Sequence, residues 1–302
     1  MIYPESTPRG NNAFGMFRQA AGRHGIRLEI FFYGRAGLCP ELERAGIPDI
    51  VFMRGYNFRI SEYYENLGAT VINTTASMRL SRDKYLTSLA LEKHGIPAPR
   101  TSAFQPPPGF EKAAGMFRTP FILKQRFGSK GENVYLIHSA AEYDDALGKC
   151  AAERLRRLGQ ADTVTEFGET AGEIECGASV LLQEYVSSSE GKDIRVWTAG
   201  GKVIGHILRY NTSSFKSNFA AGGSFREIPL PPEAAEIAVS AANATGLFFA
   251  GVDLLFDGNG GFKVCEVNGN AGFRTAPTDI PDAVFGNLTR ERDFFISCGY
   301  IH

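Results

Sequence analysis

Ala250–Arg274, AGVDLLFDGNGGFKVCEVNGNAGFR, constrains this chain more than any other stretch. The apolar run around Asp253 (Val252, Leu254, Leu255, Phe256) describes a strand covered on both faces. Asp257–Gly261 supplies residues tolerant of positive φ, so the spacing predicts a tight turn joining two antiparallel strands. The second strand ends in Glu266-Val267-Asn268, and strict alternation places Phe262, Val264, Glu266 and Asn268 on one face of it. Asp253, Glu266 and Asn268 then converge as three hard oxygen donors. Two carboxylates and an amide, without His or Cys, suit Mg²⁺, which keeps waters and takes its other oxygens from nucleotide phosphates. An exposed hairpin with ordinary surface acids has the same local pattern, so the rest of the chain has to decide.

Composition narrows the classes. At 302 residues the chain is long enough for two domains or three small ones. Its 43% hydrophobic and 22% charged residues are those of an ordinary globular protein, and a net charge of −1 gives no case for a nucleic-acid or membrane-surface partner. No apolar run approaches the roughly 20 residues of a membrane span, and MIYPESTPRGNN lacks the regions of a signal peptide. Five scattered cysteines without a CxxC, and dispersed histidines, indicate neither a disulfide framework nor a zinc site; a cytoplasmic location is the simplest expectation.

Taken in order, residues 11–75 alternate helix and strand. Phe14, Phe17, Ala21 and His24 keep a helical spacing closed by Gly25; strands are expected at Leu28–Phe32, Ile50–Phe52 and Thr70–Ile72, with a helix at Ser61–Leu67. Such alternation implies a mainly parallel sheet, in which Arg54-Gly55-Tyr56, after a strand end, is a position for substrate contact. A helix follows with Ser81 as its N-cap, an apolar stripe of Leu86, Leu89 and Ala90, and a stop at Gly95 and Pro97. Lys84 falls in its first turn, where the macrodipole disfavours a cation and a phosphate ligand would reverse the balance.

Farther along, Phe121–Lys124 and Val134–Ile137 flank Gln125–Asn133, a Gly-Ser-Lys-Gly hairpin suited to folding over phosphates or to serving as a plain turn. Residues 139–158 read as a helix and Gly159–Gly177 as a surface insertion. Strands are expected at Val180–Val186, Asp193–Ala199 and Lys202–Arg209, with Asp193 and Arg195 on one face. A polar loop, Asn211–Gly223, and an amphipathic helix, Pro232–Thr245, lead back to the opening hairpin.

SRDK, FILK, the Gly-Ser-Lys-Gly lid, QEYVSSSEGKDIRVW, FKSN…GG and VDLLF…EVN occur in an order that resembles the ATP-grasp superfamily, and within it the RimK-like carboxylate–amine ligases. The likeness covers roughly residues 73–274. It implies an α/β fold, α+β in the ATP-grasp part: a small parallel-sheet domain (1–75), a central subdomain carrying the lid (76–182) and a C-terminal subdomain with the metal site (183–302), the last two sandwiching the nucleotide. It also implies ATP with Mg²⁺, or Mn²⁺ in its place, and a homo-oligomer. The expected substrates are a small-molecule or peptide carboxylate and an amine such as an amino acid.

Residue by residue, the resemblance makes Lys84 and Lys124 phosphate contacts, with Gly128, Ser129 and Gly131 in the lid above them. Gln183, Glu184, Tyr185 and Val186 form the adenine hinge, Glu184 acting through its carbonyl. Asp193 faces the ribose; Lys216, Ser217 and Asn218 form a further nucleotide segment, with lysine where the family usually has arginine. Asp253, Glu266 and Asn268 become the metal ligands, and Arg195 and Arg209 hold the substrate carboxylate and its acyl phosphate. The Gly269–Pro277 continuation, with its extra Arg274, and the Gly159–Gly177 insertion depart from the family pattern and leave the substrate open. A kinase on the same fold and a nucleotide-binding partner protein without catalysis remain alternatives.

Overall fold

The computed structural model describes residues 1–4, 6–8, 10–34, 46–128, 131, 133–158, 180–217 and 222–290. The N-terminal sheet is parallel throughout. β1 (Ile2–Pro4) pairs with β2 (Phe31–Tyr33), β3 (Ile50–Phe52) pairs with β4 (Thr70–Ile72), and an Ile2–Met53 bridge joins the two pairs. Helices α1 (Asn12–Arg23) and α2 (Phe58–Asn66) make the crossovers. β1 carries no alternation over its three residues, which is why the sequence pattern passes over it, and β2 lies nearer Tyr33 than the expected Leu28–Phe32.

Two helices, not one, then occupy the SRDK segment: α3 (Thr75–Arg82) and α4 (Lys84–Lys93). The N-cap of α4 is Asp83, whose Oδ1 accepts from the amides of Tyr85 (3.0 Å) and Leu86 (3.1 Å); Ser81 belongs to the last turn of α3. The expected stripe is also displaced. Leu86 and Leu89 are exposed, and α4 packs through Thr87 and Leu91 instead.

β5 (Thr101–Phe104), β6 (Phe121–Gln125), β7 (Val134–Ile137) and β8 (Val180–Glu184) form an antiparallel sheet in the order β5-β8-β6-β7. α5 (Phe110–Phe117) and α6 (Ala140–Leu158) back it, over a core of Phe117, Phe121, Leu123, Ile137, Tyr143 and Leu182. The β6–β7 hairpin is the expected lid; Ser129, like Asn218 and the Gly159–Gly177 insertion, lies outside the described residues.

The second antiparallel sheet runs β11-β10-β9-β12-β13, from β9 (Lys192–Ala199), β10 (Lys202–Tyr210), β11 (Ser224–Arg226), β12 (Phe249–Phe256) and β13 (Phe262–Asn268). One face carries Ile194, Val196, Val252, Leu254 and Val264 against α7 (Pro232–Ala244), with Met78 of α3 and Leu91 of α4 in the same core. On the opposite face Trp197, Ile207 and Phe249 meet Phe17 of α1, Phe52 of β3, and Val284 and Phe285 of α8 (Ile280–Arg290). This aromatic packing covers only one end of that face, leaving the remainder to polar residues.

β13 is not a regular strand. Asp253 opposes Glu266, but the next residue, Leu254, opposes Val264, so Cys265 is a bulge. The alternation therefore breaks within the strand. Phe262, Val264 and Val267 are all buried against α7, whereas Glu266 and Asn268 belong to the polar face. The single shared face expected for Phe262, Val264, Glu266 and Asn268 does not form.

Candidate functional site

Backbone register assembles the polar face. Asp253 stands opposite Arg195 on one side and Glu266 on the other, while Asp193 stands opposite Arg209. Asp193, Arg195, Arg209 and Asp253 are all buried, at 5–9% exposure, and form one network. Arg195 donates twice to Asp253, through Nε and, at 2.7 Å, through Nη2. Arg209 forks onto Asp193 at 2.7 and 2.6 Å and reaches Asp253 Oδ2 at 2.8 Å; Ser217 donates to Asp193 at 2.5 Å. Two carboxylates thus balance two guanidiniums. Gly251 is required by this closeness: a Cβ there would meet Ala271 Cβ at 2.6 Å and Arg195 Nη1 at 3.0 Å.

The environment splits the two acids. Burial works to raise the Asp253 carboxyl, but the charges of Arg195 and Arg209 outweigh it and hold it below the usual carboxylate value. Asp193 is pushed up, chiefly by burial, and the negative charge of Asp253 adds to what Arg209 relieves. Both Asp193 oxygens are engaged, by Arg209 and by Ser217.

Beside this face lies a cavity lined by Lys84 and Thr87 of α4, Lys124 of β6, Gln183 of β8 and Cys265-Glu266-Val267 of β13. It sits between the two antiparallel sheets. Lys124 is 6% exposed and donates to Gln183 Oε1 at 3.0 Å, while Gln183 Nε2 donates to Thr101 at 2.7 Å. Burial pushes the Lys124 ammonium down against the opposing charges of Cys265 and Glu266. The Cys265 thiol is itself pushed up to about 12, foremost by burial.

Lys84 donates to Gly128 O at 2.5 Å and Lys216 to Gly131 O at 2.9 Å, so two lysines grip the lid by its carbonyls. Arg126, at the end of β6, pairs with the cap Asp83 at 2.6 Å and fastens the lid to α4. Sequence reasoning passed over that pair, although Asp83 stands within SRDK as an N-cap residue type.

Glu184 engages its carboxylate with Lys263 (2.8 Å) and the Arg100 amide (3.2 Å), and its own amide donates to Arg100 O at 2.9 Å. Tyr185 is half-buried, edge-on to Phe215, and Val186 is buried. Arg274 is exposed and does not line the cavity.

Burial pushes Lys84 down to about 8, with Glu266 opposing the shift and Lys124 adding to it. A lysine lowered in the folded state costs stability while it is charged, so stability rises as pH climbs from about 8 towards 10.5. Phosphate binding has the opposite sign, because it requires the protonated form. ADP affinity is expected to be flat at pH 7 and to weaken by about tenfold per pH unit above about 8. Calorimetric titration from pH 7 to 9.5 reads this, and a flat profile would take Lys84 out of phosphate contact.

The donor set can be tested for a metal from its own chemistry. Glu266 has no hydrogen-bond or ion-pair partner among the described residues, and Asn268 Oδ1 accepts only the Asn270 amide, at 2.9 Å. Both are hard oxygens near the cavity and fit a divalent cation. Asp253 has the right chemistry and the right strand position, but its oxygens are held by Arg195 and Arg209. Among the described residues no cluster of three His, Cys, Asp or Glu forms a metal cage by itself.

Two antiparallel sheets closing on a lysine-lined cavity under a glycine hairpin define the ATP-grasp class of fold. Consistent with this, the crystal structure of D-cycloserine synthetase DcsG superposes with a TM-score of 0.69 at 15% identity, covering 96% of this chain and 98% of that one. A profile of the RimK-like ATP-grasp domain matches residues 81–284. The chain belongs to the RimK-like ATP-grasp family. Human N-acetylaspartylglutamate synthase A is 30% identical over 238 residues, covering 75% of this chain and 55% of that one. Zebrafish beta-citrylglutamate synthase B is 28% identical over 238 residues, covering 78% and 53%. The chain thus spans about half the length of the curated relatives it matches.

Proposed function

We propose that the chain is an ATP-dependent carboxylate–amine ligase. The observation that carries this is the adjacency of two chemically different compartments. The cavity with Lys84 and Lys124 offers point charges to nucleotide phosphates, and the Arg195/Arg209 face beyond Glu266 offers guanidinium charge, already oriented by Asp193 and Asp253, to a carboxylate or acyl phosphate.

In this reading a substrate carboxylate attacks the γ-phosphoryl of ATP, giving an acyl phosphate and ADP. An amine then attacks the acyl carbon, and the tetrahedral intermediate expels phosphate to leave an amide. A carboxylate is a poor electrophile and phosphate a good leaving group, so the protein has to position, neutralise and exclude water rather than act as a nucleophile. Lys84, Lys124 and the lid hold the phosphates. Gln183–Val186 receive the base, the Lys216–Asn218 segment flanks the nucleotide, and Arg195 and Arg209 orient the carboxylate. Asp193 and Ser217 keep Arg209 pointed at the reaction. Mg²⁺ or Mn²⁺, held by Glu266 and Asn268 and by Asp253 once an arginine releases it, would neutralise phosphate charge.

Both curated relatives are named as synthases of a compound whose name ends in glutamate, which makes glutamate the first amine to test here. Purified protein with Mg²⁺-ATP is expected to release ADP only when a suitable carboxylate and amine are both present. Mass spectrometry should then show a product one water lighter than its two components, and Glu266→Ala should lower turnover by about 100-fold or more. A stably phosphorylated product would indicate the kinase; nucleotide binding without turnover in any pool would favour the non-catalytic protein.

A further inference from the structure

The turn after β13, Gly269–Phe273, follows directly on Asn268 and has its carbonyls taken by side chains from three separate elements. Asn73, just after β4, donates to Gly269 O at 2.9 Å and also bonds both backbone groups of Phe249. Arg54, just after β3, donates to Ala271 O at 2.9 Å. Trp197 of β9 donates to Gly272 O at 2.9 Å. The seating is tight: a Cβ on Gly269 would meet Met78 Sδ at 2.5 Å and Leu247 Cδ2 at 2.8 Å. Ala271 in turn abuts Gly251, against which Arg195 also packs.

Arg54 is the unusual member. It is 9% exposed, its guanidinium lies 5.5–5.7 Å from the rings of Phe52, Phe249 and Phe273, and burial pushes it below the usual arginine value. Its Nε and Nη1 make no hydrogen bond among the described residues. A buried cation faced by aromatic rings and no carboxylate is costly, and packing alone would be served better by methionine or leucine. Beside the facing Tyr3 hydroxyl, what the guanidinium adds is the aimed N–H to Ala271.

We propose that Arg54, Asn73 and Trp197 are positioning residues that set the Gly269–Phe273 turn, and through it Asn268 and Arg195, so that the N-terminal sheet controls the acyl end of the site. The proposal deepens the ligase reading and rests on it for its kinetic consequence only. Hydrogen exchange on the full chain tests the rest. In Arg54→Met, amides of residues 269–273 should exchange about tenfold faster, with β5–β8 unchanged. ADP affinity should stay within about twofold, whereas kcat should fall about tenfold at a temperature where both proteins are folded. Unchanged exchange in the turn, a uniform acceleration across the chain, or equal losses of ADP affinity and kcat would overturn it. If Arg54→Met does not fold, Trp197→Phe, which replaces the indole with a smaller aromatic ring and removes one donor, is judged by the same readings. Should no substrate pair support turnover, the exchange result decides this proposal alone, and only the ligase reading is lost.

Discussion

Lys124→Met is expected to weaken ADP and ATP binding by about 100-fold or more while leaving the free protein at least as stable as the parent. Lys124 is buried in β6, where its ammonium donates to the Gln183 amide oxygen and burial outweighs the opposing charge of Glu266. Methionine has nearly the same length and removes the desolvation penalty, at the cost of one hydrogen bond of about 1 kcal/mol. With phosphates present the balance inverts, since the ammonium meets anionic oxygens in a water-poor cavity; 100-fold corresponds to about 2.7 kcal/mol. Calorimetric titration with ADP and a thermal midpoint without ligand make the two readings. A lowered midpoint with unchanged ADP affinity would make Lys124 a structural residue.

Arg209→Met should be among the most destabilising single changes in the site, by about 3–5 kcal/mol near neutral pH. Arg209 is shared between Asp193 and Asp253, so its loss leaves two buried carboxylates facing one guanidinium. Arg195→Met is expected to cost less, because Asp253 keeps Arg209 and Asp193 keeps both its partners. The pH dependence follows from Asp193, already pushed up in the parent. A carboxyl whose folded value lies above its unfolded one binds protons more tightly when folded, so stability is lost as pH rises through the folded value and regained on acidification. Denaturant unfolding of Arg209→Met at pH 5 and pH 7.5 should therefore show the smaller loss at pH 5. Equal losses would mean that the cost is packing and not charge.

Much of this architecture could be read from local pattern. The hairpins around Gly200-Gly201 and Asp257–Gly261 were legible because turn residues of the right type separate runs of the right length, and both form. The two cavity lysines and the arginine face were legible only through the ordered motifs, since no single one of them is distinctive. Three things escaped, each for a physical reason. The bulge at Cys265 leaves no mark in composition, because Val264 and Val267 look like any apolar pair until their partners on β12 are known. The exposure of Leu86 and Leu89 follows from where α7 packs, which is tertiary information. The turn-holding roles of Arg54 and Asn73 join positions nearly 200 residues apart; the Asn73–Gly269 bond spans 196. Arg54 was visible as a strand-end residue, but its partner is a backbone carbonyl, which no side-chain pattern reveals.

The irregularity in β13 gives that strand two grammars. Letters up to Val264 are spelled for the company of α7, and those after Cys265 are spelled in the shifted frame, with Val267 turned to the helix and Glu266 and Asn268 to the polar face. Substitution can therefore edit either half independently, which leaves the chemistry at Glu266 and Asn268 open to gradual change. The extra residue does not decide which way these side chains point: without Cys265 the same letters would alternate regularly, with Phe262, Val264 and Val267 towards α7 and Glu266 and Asn268 away from it, so what the bulge adds is a local bend between the two halves.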